Sequence, residues 1–401
     1  MFRHGKKNPC KLCLQKRGGK CYILIMSNPL HTIFGLRDNG LPLVFLAPMA
    51  GYSNAPMRRI SHRHGAAMSY TEMANARALL NPSERTWALM ETTKLEGPVV
   101  AHLYGTEPDV FAEAAVKVEQ TKRFVAIDLN AGCPAKKVLA EGAGAELIKD
   151  PQRIHDMIVA ARRVVSLPIT LKTRLGPSPD KLAIYDVLAA VEAAGGAALA
   201  LHARYTSQGH RGDVHYNLLA QVKQRANIPI IGNGNVHTPY AAWHMFEKTR
   251  VDAIMLGRAA VGNPWIFTNI RDSFKTRIKP KYHPPTHSRP KMNLETLGKV
   301  LFDHLDLERE HLKVLSAKYG IPPTAEDIEE TVVNAFRCRH FRYLHSLKGA
   351  CYVRKCLSEL RTVDAVREAV QGCFDREAAY RATLPPKPVK PVKKKIPKKK
   401  A

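Results

Sequence analysis

One cysteine stands where chemistry is commonly done. Asn130-Ala131-Gly132-Cys133-Pro134 follows the apolar run Val125-Ala126-Ile127-Asp128-Leu129, which reads as a buried strand. Gly beside a Cys-Pro pair turns the backbone sharply, because Gly accepts a positive φ and Pro fixes its own. A thiol is thereby set on a tight loop just past a strand's C-terminal end, where the active sites of parallel α/β folds collect. A lone cysteine is more often a buried packing residue, so the neighbouring motifs must carry the case.

Polar residues interrupt several other strand-like runs. A strand covered on both faces should be almost wholly apolar, so each interruption needs a reason. Lys172 sits late in Ile169-Thr170-Leu171-Lys172-Thr173-Arg174. A buried ammonium without a partner is costly, and an anion such as a reduced flavin would offset it. His202 and Arg204 close the run from Ala198, and His102 lies inside Val99–Tyr104. A single His is usually a satisfied core residue, whereas several on one rim make a site. Two further runs end in Gly232-Asn233-Gly234-Asn235 and Gly257-Arg258-Ala259. Gly-bearing loops with helix N-termini and one Arg form a phosphate cradle after the last two strands of a barrel. That signal points to a phosphorylated ligand, and a mononucleotide such as FMN fits. No H-E-x-x-H, clustered carboxylate pair or Walker loop occurs, so no metal is expected.

These residues need a frame. Eight short apolar runs begin near Val44, Ala67, Val99, Val125, Ile169, Ala198, Ile228 and Ala253. Segments of helical period separate them, among them Pro108–Thr121 and the one opened by Asp150-Pro151. Strand–helix alternation means parallel pairing, and eight repeats predict a (β/α)8 TIM barrel over residues 41–275. An open doubly wound sheet should carry a GxGxxG turn after its first strand, and Pro48-Met49-Ala50-Gly51 stands there instead. Residues 276–292 are rich in Pro, His and Lys and read as a linker. Only helical period follows over 293–382, which predicts a small C-terminal helical domain. Its Arg337, Arg339, His340, Arg342, Lys348, Arg354 and Lys355, with Phe341 and Tyr343 among them, could form a face for RNA phosphates. Residues 383–401 alternate Lys and Pro, which predicts a disordered basic tail.

The formal charge is +27 over 401 residues. Nine of those positive charges fall in 381–401 and seven in 1–22, which leaves +11 on the remainder. A body that stays basic without its tails argues for a polyanionic partner. No run approaches the roughly 18 apolar residues that span a bilayer, so no membrane association is expected and the location reads as cytoplasmic. Cys10, Cys13 and Cys21 give a weak zinc pattern whose fourth ligand is unassigned, with His4 as a candidate. Residues 1–40 read as a basic, Cys-containing extension, with Met26 as an alternative start.

Taken together, Ala47–Gly51, Asn130–Pro134, Lys172-Thr173-Arg174-Leu175-Gly176, His202-Ala203-Arg204, and Gly232-Asn233-Gly234 with Gly257-Arg258 resemble the motifs of the tRNA-dihydrouridine synthases, most like the bacterial B type, over about Leu43 to Arg361. The resemblance implies an FMN-dependent barrel with a helical tRNA-binding domain. It implies reduction of the uridine C5–C6 double bond, with NADPH reducing the flavin, and no stable protein partner. Cys133 matches the proton donor: a thiol's ordinary pKa of about 8.5 leaves it mostly protonated at neutral pH. Pro48, Met49, Ala50, His102, Lys172 and His202 match flavin contacts, and Asn233, Gly234, Asn235, Gly257 and Arg258 the phosphate grip. Asn130, Lys136, Lys137, Arg174 and Arg204 are expected near the RNA. Three positions depart from the family pattern: His102 replaces a usual Gln, Ala131 a usual Met, and Tyr205 a usual Thr. Two alternatives stand beside this reading: an FMN barrel reductase acting on a small molecule, and a non-catalytic RNA-binding barrel.

Overall fold

The computed structural model describes residues 41–81, 84–281 and 293–384, together with the backbone of a short antiparallel hairpin pairing Cys13–Arg17 with Lys20–Leu24. Cys10, linker residues 282–292 and the tail from 385 lie outside the described residues.

Eight strands form where the apolar runs fall: β1 (Leu43–Leu46), β2 (Met68–Tyr70), β3 (Val99–Tyr104), β4 (Ala126–Ala131), β5 (Ile169–Arg174), β6 (Leu199–His202), β7 (Ile230–Asn233) and β8 (Ala253–Leu256). Each pairs in parallel with the next, and β8 pairs back onto β1, which closes the barrel. The helices that complete the repeats include α1 (Ala55–Arg63), α2 (Pro108–Gln120), α3 (Pro151–Val164), α4 (Ile184–Ala193), α5 (Tyr216–Arg225), α6 (Pro239–Thr249) and α7 (Trp265–Lys275). Their starts follow from sequence. Asp150 accepts the Arg153 N–H ahead of Pro151, and Thr238 accepts the Ala241 N–H ahead of Pro239. Both are side-chain caps with Pro in the first turn.

Alternation sorts the strand residues. Val44, Leu46, Ala101, Leu103, Ile127, Leu129, Leu171, Leu199, Leu201, Ile254 and Leu256 join the core shared with the surrounding helices. The opposite parity carries a separate cluster of Phe45, Tyr70, Val100, Ala126, Ala198, Ala200, Ile231, Ala253 and Met255, which fills the barrel interior. Four alanines in that inner set leave room. His102, Asp128, Asn130, Thr170, Lys172, Arg174, His202 and Asn233 share the inner parity. The two-residue period therefore aims the polar interruptions into the barrel.

The helical unit comprises α8 (Leu294–Tyr319), α9 (Ala325–Cys338), a 3-10 turn over His340–Leu344, α10 (Ala350–Cys356) and α11 (Val363–Ala382). Its core, including Leu301, Leu305, Phe336, Val353 and Val370, takes in Ala88 and packs on Trp265 from the barrel side. Polar contacts tie α8 down. Asn54 donates to both oxygens of Glu308 at 2.9 and 3.1 Å, and Lys318 and the Tyr319 hydroxyl donate to Glu91 at 2.6 and 2.7 Å. Among the described residues no helix is long and apolar enough to cross a membrane.

Candidate active site

A cavity of about 510 Å³ opens at the C-terminal ends of the strands. Its lining brings together Pro48, Met49 and Ala50 after β1, His102 of β3, Asn130 and Cys133 of the β4 loop, and Lys172 and Arg174 of β5. His202 and Arg204 after β6, Asn233, Gly234 and Asn235 after β7, and Gly257 and Arg258 after β8 complete it. Of the residues singled out from sequence as site candidates, only Lys136 and Lys137 are not in this wall. Both are exposed and begin a short helix, Lys136–Ala140, that leaves the Cys133 loop and buries Val138.

The Cys133 loop is locked from three sides. The Asn130 carboxamide oxygen accepts the N–H groups of both Gly132 and Cys133 at 3.0 Å, an Asx turn that fixes the bend. The Cys133 carbonyl accepts the Ala145 N–H at 3.0 Å. Gly144 makes that approach feasible: its φ is +61°, and a Cβ there would lie 2.7 Å from the Cys133 carbonyl oxygen. Arg174 Nε donates to the Gly132 carbonyl at 2.8 Å, while Nη1 donates to the Tyr205 and Gly209 carbonyls at 3.2 and 2.7 Å. The thiol is half-buried and free.

This geometry bears on two expectations. Arg174 and Arg204 are 2% and 1% exposed, and most of their donors are already engaged. Arg204 Nε bonds the Arg211 and Gly212 carbonyls, Nη2 bonds Gly212, and Nη1 lies 3.2 Å from His202 Nε2. Both guanidiniums therefore build the cavity wall and join loops. The basic face expected on the helical unit is also narrower. Arg337 is bonded to the Leu357 and Leu360 carbonyls, Arg339 to Gly51 and Glu308, and His340 to Glu308. Phe341 and Tyr343 are core residues. Arg342, Lys348, Arg354 and Lys355 remain exposed.

Lys172 differs from those arginines. Its ammonium makes no hydrogen bond or ion pair among the described residues, although the residue lies at the cavity wall. Burial, reinforced by Arg174, lowers its pKa to about 8; Asp128 and Cys133 pull the other way. His202 is pushed far below the ordinary histidine range by burial and then by Lys172, Arg174 and Arg204, so it is neutral. Because Arg204 donates to its Nε2, the ring proton sits on Nδ1. Arg258 is exposed at the lip, with no partner among the described residues. Gly234 has φ +131°, and a Cβ there would crowd Val214 at 3.0 Å and His202 at 3.3 Å. Backbone, a free guanidinium and an unmet ammonium thus line one cavity, the donor set an anionic, phosphorylated ring cofactor requires.

Several lining residues were not singled out from sequence. His210 stacks on His202 with centroids 5.9 Å apart and joins the wall with Met73 and His237. Asp128 was passed over within an apolar run, although it breaks β4 as His102 breaks β3. His304, Glu308 and His340 lie within 4.8 Å of one another by their ligand atoms. The same Glu308 oxygen, however, accepts from Asn54, Arg339 and His340 at 3.1, 3.3 and 3.1 Å. A guanidinium on that oxygen opposes a cation there, so the cluster acts as a joint between barrel and helices.

A family profile described as dihydrouridine synthase (Dus) matches residues 45–379. The tRNA-dihydrouridine synthase B of Pseudomonas aeruginosa is 33% identical over 331 residues, covering 82% of this chain and 92% of that protein. The protein of the same description from Vibrio cholerae is 30% identical over 338 residues, 84% of this chain and 97% of that one. The one from Pseudomonas syringae is 32% identical over 341 residues, with 84% and 93% covered.

Proposed function

The chain belongs to the dihydrouridine synthase family, and from that premise we propose that it reduces the C5–C6 double bond of uridines in tRNA, with FMN held in the cavity and NADPH as the reductant. The observation that carries this reading is the unmet Lys172 ammonium facing a cavity that also holds a locked cysteine loop and the free Arg258.

The residues divide the work by position. Asn233, Gly234, Asn235, Gly257 and Arg258 would hold the phosphate, through backbone approach and one guanidinium. Pro48, Met49 and Ala50 would line the ring; Ser53 steadies Met49 by bonding both its N–H and its carbonyl, at 2.9 and 3.2 Å. Lys172 supplies positive charge where the reduced ring carries negative charge. The chemistry that FMN would supply there, when bound and reduced, is the hydride for C6 of the uracil. The Cys133 thiol would deliver the proton to C5 from the opposite face, and the Asn130 turn fixes the loop from which it would do so. The uridine must leave the RNA stack to reach that point. Lys136 and Lys137, exposed beside the loop, contact phosphates, as do Lys348, Arg354 and Lys355 on the helical unit. A cytoplasmic site of action follows from that substrate.

The test is Cys133→Ala. The variant is expected to retain FMN and to lose most dihydrouridine formation in tRNA. Unchanged turnover would remove the assigned acid, and activity on free uracil-like substrates with none on RNA would instead favour a small-molecule reductase.

A further inference from the structure

The barrel interior holds a buried polar relay behind His102. Strand register sets His102 opposite Asp128, and Asp128 opposite Thr170. His102 Nδ1 lies 2.7 Å from Asp128 Oδ2, with side chains 4% and 0% exposed. The Thr170 hydroxyl donates to Asp128 Oδ1 at 2.5 Å. The backbone holds the same histidine, because the His102 N–H donates to Thr71 Oγ1 at 3.0 Å. Tyr70 stands edge-on to the imidazole, with centroids 6.3 Å apart at 84°.

A carboxylate in this position costs a great deal unless donors meet it. Two donors do, one on each oxygen. The carboxylate can only accept, so the proton between the two groups belongs to His102 Nδ1. The far nitrogen, Nε2, makes no hydrogen bond among the described residues, and His102 lines the cavity. In a neutral ring that nitrogen is an acceptor. His102 lies one inner step deeper than the Asn130–Lys172 pair, away from the loops through which RNA must enter. A deep acceptor suits the imide N–H of a ring cofactor rather than the substrate's uracil.

We infer that Asp128 is a positioning residue: it fixes His102 as the Nδ1–H tautomer and aims Nε2 into the cavity to accept the imide N–H of bound flavin. This rests on the FMN reading given above. Thr170 holds the carboxylate in the plane that does this. The arrangement replaces the two-way hydrogen bonding of a carboxamide with a one-way acceptor whose direction is set by a second residue.

The experiment is a double-mutant cycle on FMN affinity in the full chain without RNA, using the wild type, Asp128→Asn, His102→Leu and the double variant, each checked for cooperative thermal unfolding. Loss of one oriented hydrogen bond is expected to weaken FMN about tenfold in each single variant. The double variant should be no weaker than His102→Leu within about twofold, because Asp128 acts only through the ring. Losses that multiply, or an Asp128→Asn protein with unchanged affinity, would overturn the inference while leaving FMN binding intact. Should Asp128→Asn fail to fold, ¹⁵N spectra of histidine-labelled wild type, with His102 assigned from the His102→Leu spectrum, decide the tautomer directly. A proton on Nδ1 supports the proposal and a proton on Nε2 overturns it. A wild-type chain that takes up no FMN would instead overturn the flavin reading and this inference together.

Discussion

The barrel's cavity and the joint between barrel and helices both draw on histidine, arginine and lysine, yet only the joint adds glutamates to meet them. At the joint the charges are met. Glu308 accepts from Asn54, Arg339 and His340. Arg58, on the helix α1 that packs against α8, pairs with Glu96 at 2.6 Å with both side chains essentially buried, and its remaining donors reach the Ser53 and Glu91 carbonyls. At the cavity Lys172 and Arg258 have no partner among the described residues, and His202 is held neutral by burial and by its cationic neighbours. Met charges fix a structure; unmet ones, kept beside a cavity, mark where a ligand completes the account. The two regions also touch. Arg339 Nη1 donates to the Gly51 carbonyl at 2.7 Å, and Gly51 follows the Met49-Ala50 stretch of the cavity wall.

The contrast can be broken first at the cysteine. Cys133→Ala should lower dihydrouridine formation by about 10²–10⁴-fold, the usual worth of a positioned acid, with FMN content and thermal stability unchanged. Next comes the joint. Glu96→Leu strands a buried guanidinium and should cost about 3–5 kcal/mol in urea unfolding, with FMN stoichiometry of the folded fraction unchanged. A cost below about 1 kcal/mol would show that the met charges are not structural.

Lys172 sharpens the comparison through pH. Its pKa of about 8 in the unliganded fold lies below its unfolded value, so between about 8 and 10.4 the unfolded chain holds the extra proton and this group favours folding more as pH rises. Cofactor affinity should run the other way. An anionic ligand needs the ammonium, so FMN binding should weaken as pH climbs past about 8. Lys172→Met should flatten that profile and weaken binding about tenfold; a wild-type profile flat through pH 8 would contradict the assignment. The smallest effect is expected outside the wall. Replacing Lys136 and Lys137 together by Ala should reduce the slope of log affinity for tRNA against log salt by roughly 1.5 while leaving the chemistry intact.

The frame was legible in sequence because it rests on local periodicity. The eight apolar runs became the eight strands, and Asp150-Pro151 capped the helix it was read to cap. The rim was legible because polar residues in buried strands are exceptions. The same criterion, carried one step further, would have singled out Asp128, which lay within a run taken as plain core. His210 gave less warning: it enters the wall through a loop between Gly209 and Gly212 whose path depends on Arg174 and Arg204 reaching loop carbonyls. The loop-joining work of those two arginines is hidden for the same reason. Sequence shows a charge at a strand tip, whereas only the folded loops show that backbone oxygens surround it. Phe341 and Tyr343 likewise look available beside basic residues until the helices close over them.

The central claim is that this cavity holds a flavin that works on tRNA beneath a single thiol. The most direct measurement loads the full chain with FMN, reduces it anaerobically with NADPH, and follows the visible flavin band on mixing with tRNA that lacks dihydrouridine. The band should return as dihydrouridine forms in equal amount, and Cys133→Ala should slow both together. A chain that takes up no FMN, or a reduced flavin that persists with tRNA yet reoxidises with free uracil compounds, would contradict the claim.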